Sequence, residues 1–178
     1  QNAEDVEEEL DRTLELFKNM ELDQKLENLE EQLKDLSEQQ EELLKETEEG
    51  KTSEEELSKK QEELNKKFDE IEKDIDEIKE KNEELEKPRD LEFDEEMKED
   101  INQEMEESKE NLDQQKSGKS EKNQKKAADM MKQMADDVQA MKSQQMQQQQ
   151  QEDMDALRFL LENLVALSYD QEDLMNEF

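Results

Sequence analysis

The sequence predicts an all-α fold: elongated antiparallel coiled-coil hairpins followed by a C-terminal apolar helix. Three observations predict it. Two stretches carry apolar residues at alternating steps of four and three, the spacing that keeps a seam on one side of a helix and favours left-handed supercoiling. Helix breakers are scarce, with two glycines and one proline in 178 residues. Only 29% of the residues are hydrophobic, against ~45–50% in an ordinary globular domain. That is too little for a compact core but enough for one buried stripe per helix. High net charge with few apolar residues also marks disordered chains, and the regular registers argue against that reading.

The first helix opens on an early apolar stripe of Val6, Leu10, Phe17 and Met20. A cleaner register follows through Leu22, Leu26, Leu29, Leu33, Leu36, Gln40, Leu43 and Thr47. The early stripe is out of phase with it, which predicts a change of packing partner near Leu22. Gly50 ends the helix, because glycine accepts the left-handed position past a helix end. Ser53-Glu54-Glu55-Glu56 then reads as a capping box. The second register runs Leu57, Gln61, Leu64, Phe68, Ile71, Ile75, Ile78, Asn82, Leu85. Two such helices joined by a short turn make an antiparallel αα-hairpin. Pro88 is expected to end the second arm, since proline inside a helix removes a hydrogen bond and clashes. Polar residues at the seam positions Gln40, Gln61 and Asn82 either fix register or lie where the seam frays.

A third helix is expected from Asp94 as N-cap, with Met97, Ile101, Met105 and Leu112 on its stripe. Gly118, within Lys116-Ser117-Gly118-Lys119-Ser120, marks the next turn. The fourth helix carries Ala127, Met131, Met134, Val138, Met141 and Met146. Methionine is flexible and specifies packing poorly, so this second hairpin reads as adaptable. Residues 144–151 are nearly all glutamine, and read as continued helix or as linker. The run from Ala156 to Leu167 is the most apolar in the chain, and Ser168 or Asp170 is expected to cap a last short helix. The division expected is 1–87 as the first hairpin with its turn near 48–53, 88–152 as the second with its turn near 116–120, and 153–178 as a docking segment.

The net charge is −33, a surface that repels nucleic acid and favours basic partners. Residues 117–151 hold six lysines against four acids, whereas residues 152–178 hold eight acids and one arginine. The lysines either lie on an acidic helix face or are simply solvated. There is no cysteine, so no disulfide framework. The chain begins at Gln1 and reads as a piece of a longer protein, whose targeting signals would lie outside it.

No histidine or cysteine is present, which excludes His-based acid/base catalysis, cysteine nucleophiles and the usual zinc sites. The two glycines cannot build a phosphate loop. Carboxylate pairs such as Glu95 and Glu96 lack the desolvated pocket that would split their pKa values. Asp74-Ile75-Asp76 has no central glycine and sits on a seam, unlike a calcium loop. The expectation is therefore no enzyme, no cofactor and no metal site. Phe159, Leu160, Leu161, Leu164, Leu167 and Tyr169 are the candidate docking residues, with closure of a bundle as the other reading. Interfacial membrane helices carry lysine or arginine on the polar face, and this stretch offers only Arg158 opposed by Glu162. Protein contact is the better reading, with homo-oligomerisation left open.

Asp155-Ala156-Leu157-Arg158, Leu160-Leu161-Glu162-Asn163-Leu164 and Leu167-Ser168-Tyr169-Asp170-Gln171-Glu172-Asp173-Leu174-Met175 together resemble a segment of a large bacterial envelope protein family of unknown function. Its members have N-terminal transmembrane helices and a long helical region rich in Glu, Lys and Gln. Arg12-Thr13-Leu14-Glu15-Leu16-Phe17-Lys18 is similar to the entry into that region. The resemblance implies an extramembrane, periplasmic helical piece of an inner-membrane protein and carries over no catalytic residue. The function expected is structural: a scaffold or spacer that presents a docking segment to an envelope partner. The other reading is an acidic binding module or holdase for a basic or apolar protein.

Overall fold

The computed structural model describes the backbone of residues 3–176, and the side chains of residues 6–165 apart from 152 and 156. Among these residues there are four helices and no strand: α1 (Ala3–Glu49), α2 (Glu54–Glu83), α3 (Glu95–Asp113) and α4 (Ser117–Asn176). The fold is all-α, as the periodicity predicts. The chain divides into two compact units, Gln1–Met141 and Lys142–Phe178.

The turns between the helices of the first unit have local causes. Gly50 has φ +62°, the left-handed conformation that glycine adopts without a Cβ clash. Ser53 caps α2, its Oγ accepting from the Glu56 amide at 3.3 Å. Asp94 caps α3 in the same way, accepting from the Met97 amide at 2.9 Å. Two ends differ from expectation. Helix α2 stops at Glu83, five residues before Pro88, and the Asn82 side chain holds the chain that follows. It donates to the Arg89 carbonyl and accepts from the Arg89 amide, both at 2.8 Å. The turn between α3 and α4 is not made by Gly118, which lies in the first turn of α4. Gln115 makes it, with φ 59°. The Lys116 amide bonds to the Asn111 carbonyl at 2.7 Å and the Gln115 amide to that of Leu112 at 3.0 Å. This pair of bonds is a Schellman motif, with a glutamine where glycine is favoured.

Cross-helix bonds give the topology. Helices α1 and α2 are antiparallel, since Lys25 pairs with Glu77 at 2.9 Å while Lys60 pairs with Glu46 at 2.6 Å. Helices α2 and α3 are antiparallel, joined by Lys79 with Glu95 at one end and by Ser58 with Asp113 at the other. Helices α3 and α4 are linked by the Ser108 and Ser120 hydroxyls at 2.8 Å and by Lys126 with Glu104 at 2.7 Å. The ring closes where Ser37 of α1 donates to the Ala128 carbonyl of α4 at 3.0 Å. The two expected hairpins thus pack together as an up-down-up-down four-helix bundle, the arrangement that short connections favour.

One apolar core runs through all four helices, from Leu22 on α1 through Phe68 on α2 and Met105 on α3 to Val138 on α4. Met105, Met131 and Met134 are each at most 4% exposed, so these methionines fill the core and do not form an adaptable surface, whereas Met146 is 65% exposed. Fully burying side chains of this size contributes roughly 1.5–3 kcal/mol each. The exposed ion pairs over the core contribute little individually, about 0–1 kcal/mol in the usual case. Of the lysines near α4's start, Lys126 pairs with Glu104, while Lys119, Lys122, Lys125 and Lys132 are exposed.

Candidate docking surface

The second unit is the later part of α4. Residues 144–151 are helical, which settles the choice between helix and linker for the glutamine run. Glutamine is a fair helix former, and side chains four apart add support. Gln149 and Gln151 donate at 3.2 Å to Asp153 and Asp155, and Arg158 pairs with Asp155 at 3.5 Å. The backbone also stays helical through Ser168 and Asp170. The separate short helix expected there is absent, because nothing in the sequence between 156 and 170 breaks a helix.

Helical spacing sorts the candidate residues. Leu157, Leu160, Leu161 and Leu164 follow i, i+3, i+4, i+7 and share one face. Their exposures are 61%, 58%, 55% and 63%. Val165, 53% exposed, widens that face. Phe159 is 64% exposed but lies elsewhere, two residues and so about 200° round the helix from Leu161. Of the sequence candidates, then, Leu160, Leu161 and Leu164 come together and Phe159 stands apart. The side chains of Leu167 and Tyr169 lie outside the described residues. Leu157 and Val165 were not singled out from the sequence, although the i, i+3, i+4 rule would have found both.

The bundle interior holds a second group of functional interest. Gln40 and Gln61, both fully buried, exchange side-chain bonds of 3.0 and 2.8 Å. The frayed-seam reading therefore fails for this pair. The Gln61 oxygen also accepts from Ser108 at 2.9 Å and from Gln124 at 3.3 Å, while its nitrogen donates to Asn65 at 3.1 Å. All four helices thus contribute to one polar layer. Asn82 has the different task of anchoring the loop after α2. Ser108, Ser120 and Gln124 escaped the sequence reading, yet each stands on its helix's stripe. Ser120 and Gln124 precede Ala127, Met131, Met134, Val138 and Met141 at unbroken four-three steps.

The displaced protonation equilibria belong to the bundle's ion pairs. Hydrogen bonds from Lys79 and then Lys98 hold the Glu95 carboxyl below the usual carboxylate range. The bond to Glu95 raises Lys98 in turn. Burial pushes the Glu72 carboxyl up. Lys79 also lies 5.7 Å from the centre of the Phe93 ring, a favourable cation–π position. These groups pin α2 to α3 and the loop between them. Ile75 is fully buried, so Asp74 and Asp76 flank a core residue. Among the described residues no group of three or more acids is arranged to hold a metal ion. Among them, too, no helix is long and apolar enough to cross a membrane.

Comparison with protein-family models, with curated proteins and with solved structures finds no match to this chain.

Proposed function

We propose that this chain is a non-catalytic helical scaffold that presents an apolar docking segment to a protein partner in a bacterial envelope assembly, on the periplasmic side of an inner membrane. One observation carries the docking part. Leu157, Leu160, Leu161 and Leu164 form a continuous apolar helix face, each more than half exposed, whereas the bundle seams are buried to within a few per cent. An apolar face of that kind on so polar a chain marks a contact surface. The lack of histidine and cysteine supports a role in binding over one in chemistry. The envelope location rests on the resemblance of residues 155–175 to the family described above.

The test is site-specific photocrosslinking from position 163 of the full chain in envelope fractions. The intact protein is compared with a Leu161→Glu, Leu164→Glu variant whose helicity is first checked by circular dichroism. Both positions are exposed, so the bundle should be unaffected. A defined crosslinked partner that disappears in the variant supports docking through this face. The same adduct from both proteins would remove the face from the mechanism.

A further inference from the structure

Helix α1 carries two heptad seams on opposite sides. The core seam begins at Leu22 and is buried. The other comprises Val6, Leu10, Thr13, Phe17 and Met20, again at steps of four, three, four and three. The two seams are offset by two residues, or about 200° round the helix. Val6, Leu10, Phe17 and Met20 are 44%, 65%, 63% and 57% exposed. The bundle engages the opposite side of the same stretch. Lys18 donates to the Glu84 carbonyl at 2.9 Å, Glu15 accepts from the Glu86 amide at 2.8 Å, and Asn19 accepts from Arg89 at 2.8 Å. The outer seam is therefore turned away from the loop that clasps α1.

The flanks of that seam state what it fits. In heptad terms Val6, Thr13 and Met20 are d positions and Leu10 and Phe17 are a positions. The e and g positions are then Glu7, Glu9, Leu14, Leu16, Glu21 and Asp23. Every charged one is acidic, and flanking charges of this kind set partner choice in coiled coils. A second copy would set acid against acid in either orientation. So would the chain's own residues 152–178, with eight acids and one arginine. Glu21 and Asp23 already pair with Lys81 and Arg89, which leaves exposed Glu7 and Glu9 to select the newcomer. We infer that this outer seam of α1 docks a partner helix with an apolar a/d stripe and lysine or arginine at its e and g positions. The seam is two heptads long, short for an isolated coiled coil. Here α1 is already folded by its anchorage in the bundle, so only the incoming helix loses conformational entropy on binding.

The experiment uses the full chain and a designed 21-residue peptide with leucine at a and d and lysine at e and g. A second peptide carries glutamate at e and g. Binding is followed by fluorescence anisotropy for the intact protein, for a Leu10→Glu, Phe17→Glu variant and for the Leu161→Glu, Leu164→Glu variant. Circular dichroism checks that each keeps its helicity. The expected result is binding of the lysine peptide alone, weakened at least about tenfold by the α1 variant and unchanged by the α4 variant. Added salt should weaken it too, since exposed charges are screened. Equal binding to intact and α1-variant protein would overturn the inference, as would loss in the α4 variant only. Equal binding of the glutamate peptide would overturn the assigned charge. A dimer of the intact chain in sedimentation, dispersed by the α1 variant, would make a second copy the occupant and overturn the basic partner.

Discussion

Replacing Gln61 with leucine should cost the bundle about 3 kcal/mol, from two or three buried polar groups losing a partner at about 1–3 kcal/mol each, less the gain from burying an apolar side chain. The figure follows from the bonds that Gln61 holds. Gln40 is fully buried and would lose both its donor and its acceptor bond. Gln124 would lose the recipient of its amide, and its oxygen already has no protein partner. Ser108 keeps Ser120, and the Asn65 nitrogen keeps Glu106 while its oxygen loses the Gln61 donor. The double variant Gln40→Leu, Gln61→Leu removes both reciprocal amides and should recover about 2 kcal/mol of the loss, because replacing both partners with apolar groups avoids most of the desolvation penalty. The assay is a double-mutant cycle by urea denaturation, followed at 222 nm. Additive single effects, or a Gln61→Leu cost below about 0.5 kcal/mol, would refute the claim that the layer is a coupled unit. A double variant that is stable but yields poorly dispersed amide resonances would show that the layer's contribution is register, as polar seam residues provide in other coiled coils.

Gln115→Gly should raise stability by about 1 kcal/mol, since φ 59° costs a side-chain-bearing residue about that much relative to glycine; Gly50→Ala, at φ +62°, should lower it by a similar amount. An unchanged urea midpoint for either would contradict the backbone argument. Arg89→Ala should loosen the α2–α3 loop, because Arg89 bonds Asn19 through its Nε and Nη2 and pairs with Asp23. Faster hydrogen exchange at residues 84–93, with little change in α3, is the expected readout, and uniform exchange would count against it. Glu95→Gln should lower the melting temperature at neutral pH. The depressed pKa of Glu95 means that its stabilisation is present above the usual carboxylate value and lost as pH falls through the folded one. The gap between parent and variant should close in acid, and a pH-independent gap would exclude this ion-paired role.

Most of the bundle was legible because heptad spacing is a local property. Leu22 to Leu43 and Leu57 to Ile78 declare their buried faces by position alone, and every one of those apolar seam residues is buried. Ser53, Asp94 and Gly50 likewise act through neighbours within three residues. The misses required tertiary or rare local information. Ser120 and Gln124 hide on the α4 seam because nothing in their chemistry announces burial, which depends on Ser108 and Gln61 arriving from other helices. Gln115 was passed over for Gly118 because a left-handed glutamine is uncommon, and it is held there by the Asn111 and Leu112 carbonyls. The clasp of the loop after α2 depends on an Asn82 side chain reaching Arg89 seven residues on. For the docking face, composition located the residues, and helical phase with exposure separated Phe159 from Leu160, Leu161 and Leu164.

Charge pattern and seam phase together explain how one helix can serve two partners without confusing them. On the inner side of α1 the flanking charges have answers within the chain, Lys25 with Glu77 and Glu46 with Lys60, so folding itself satisfies them. A step of two residues in the seam turns the apolar face outward before Leu22. Beside it the exposed acids Glu7 and Glu9 face no lysine of the bundle in a described ion pair, and the exposed Glu8 pairs along its own helix with Arg12 at 3.8 Å. An apolar stripe alone would accept any amphipathic helix, other copies of this acidic chain included. Acidic flanks make a like-charged helix costly and a basic one favourable. The excess of acids that keeps the apolar fraction low thus also opposes pairing of this seam with a like-charged helix.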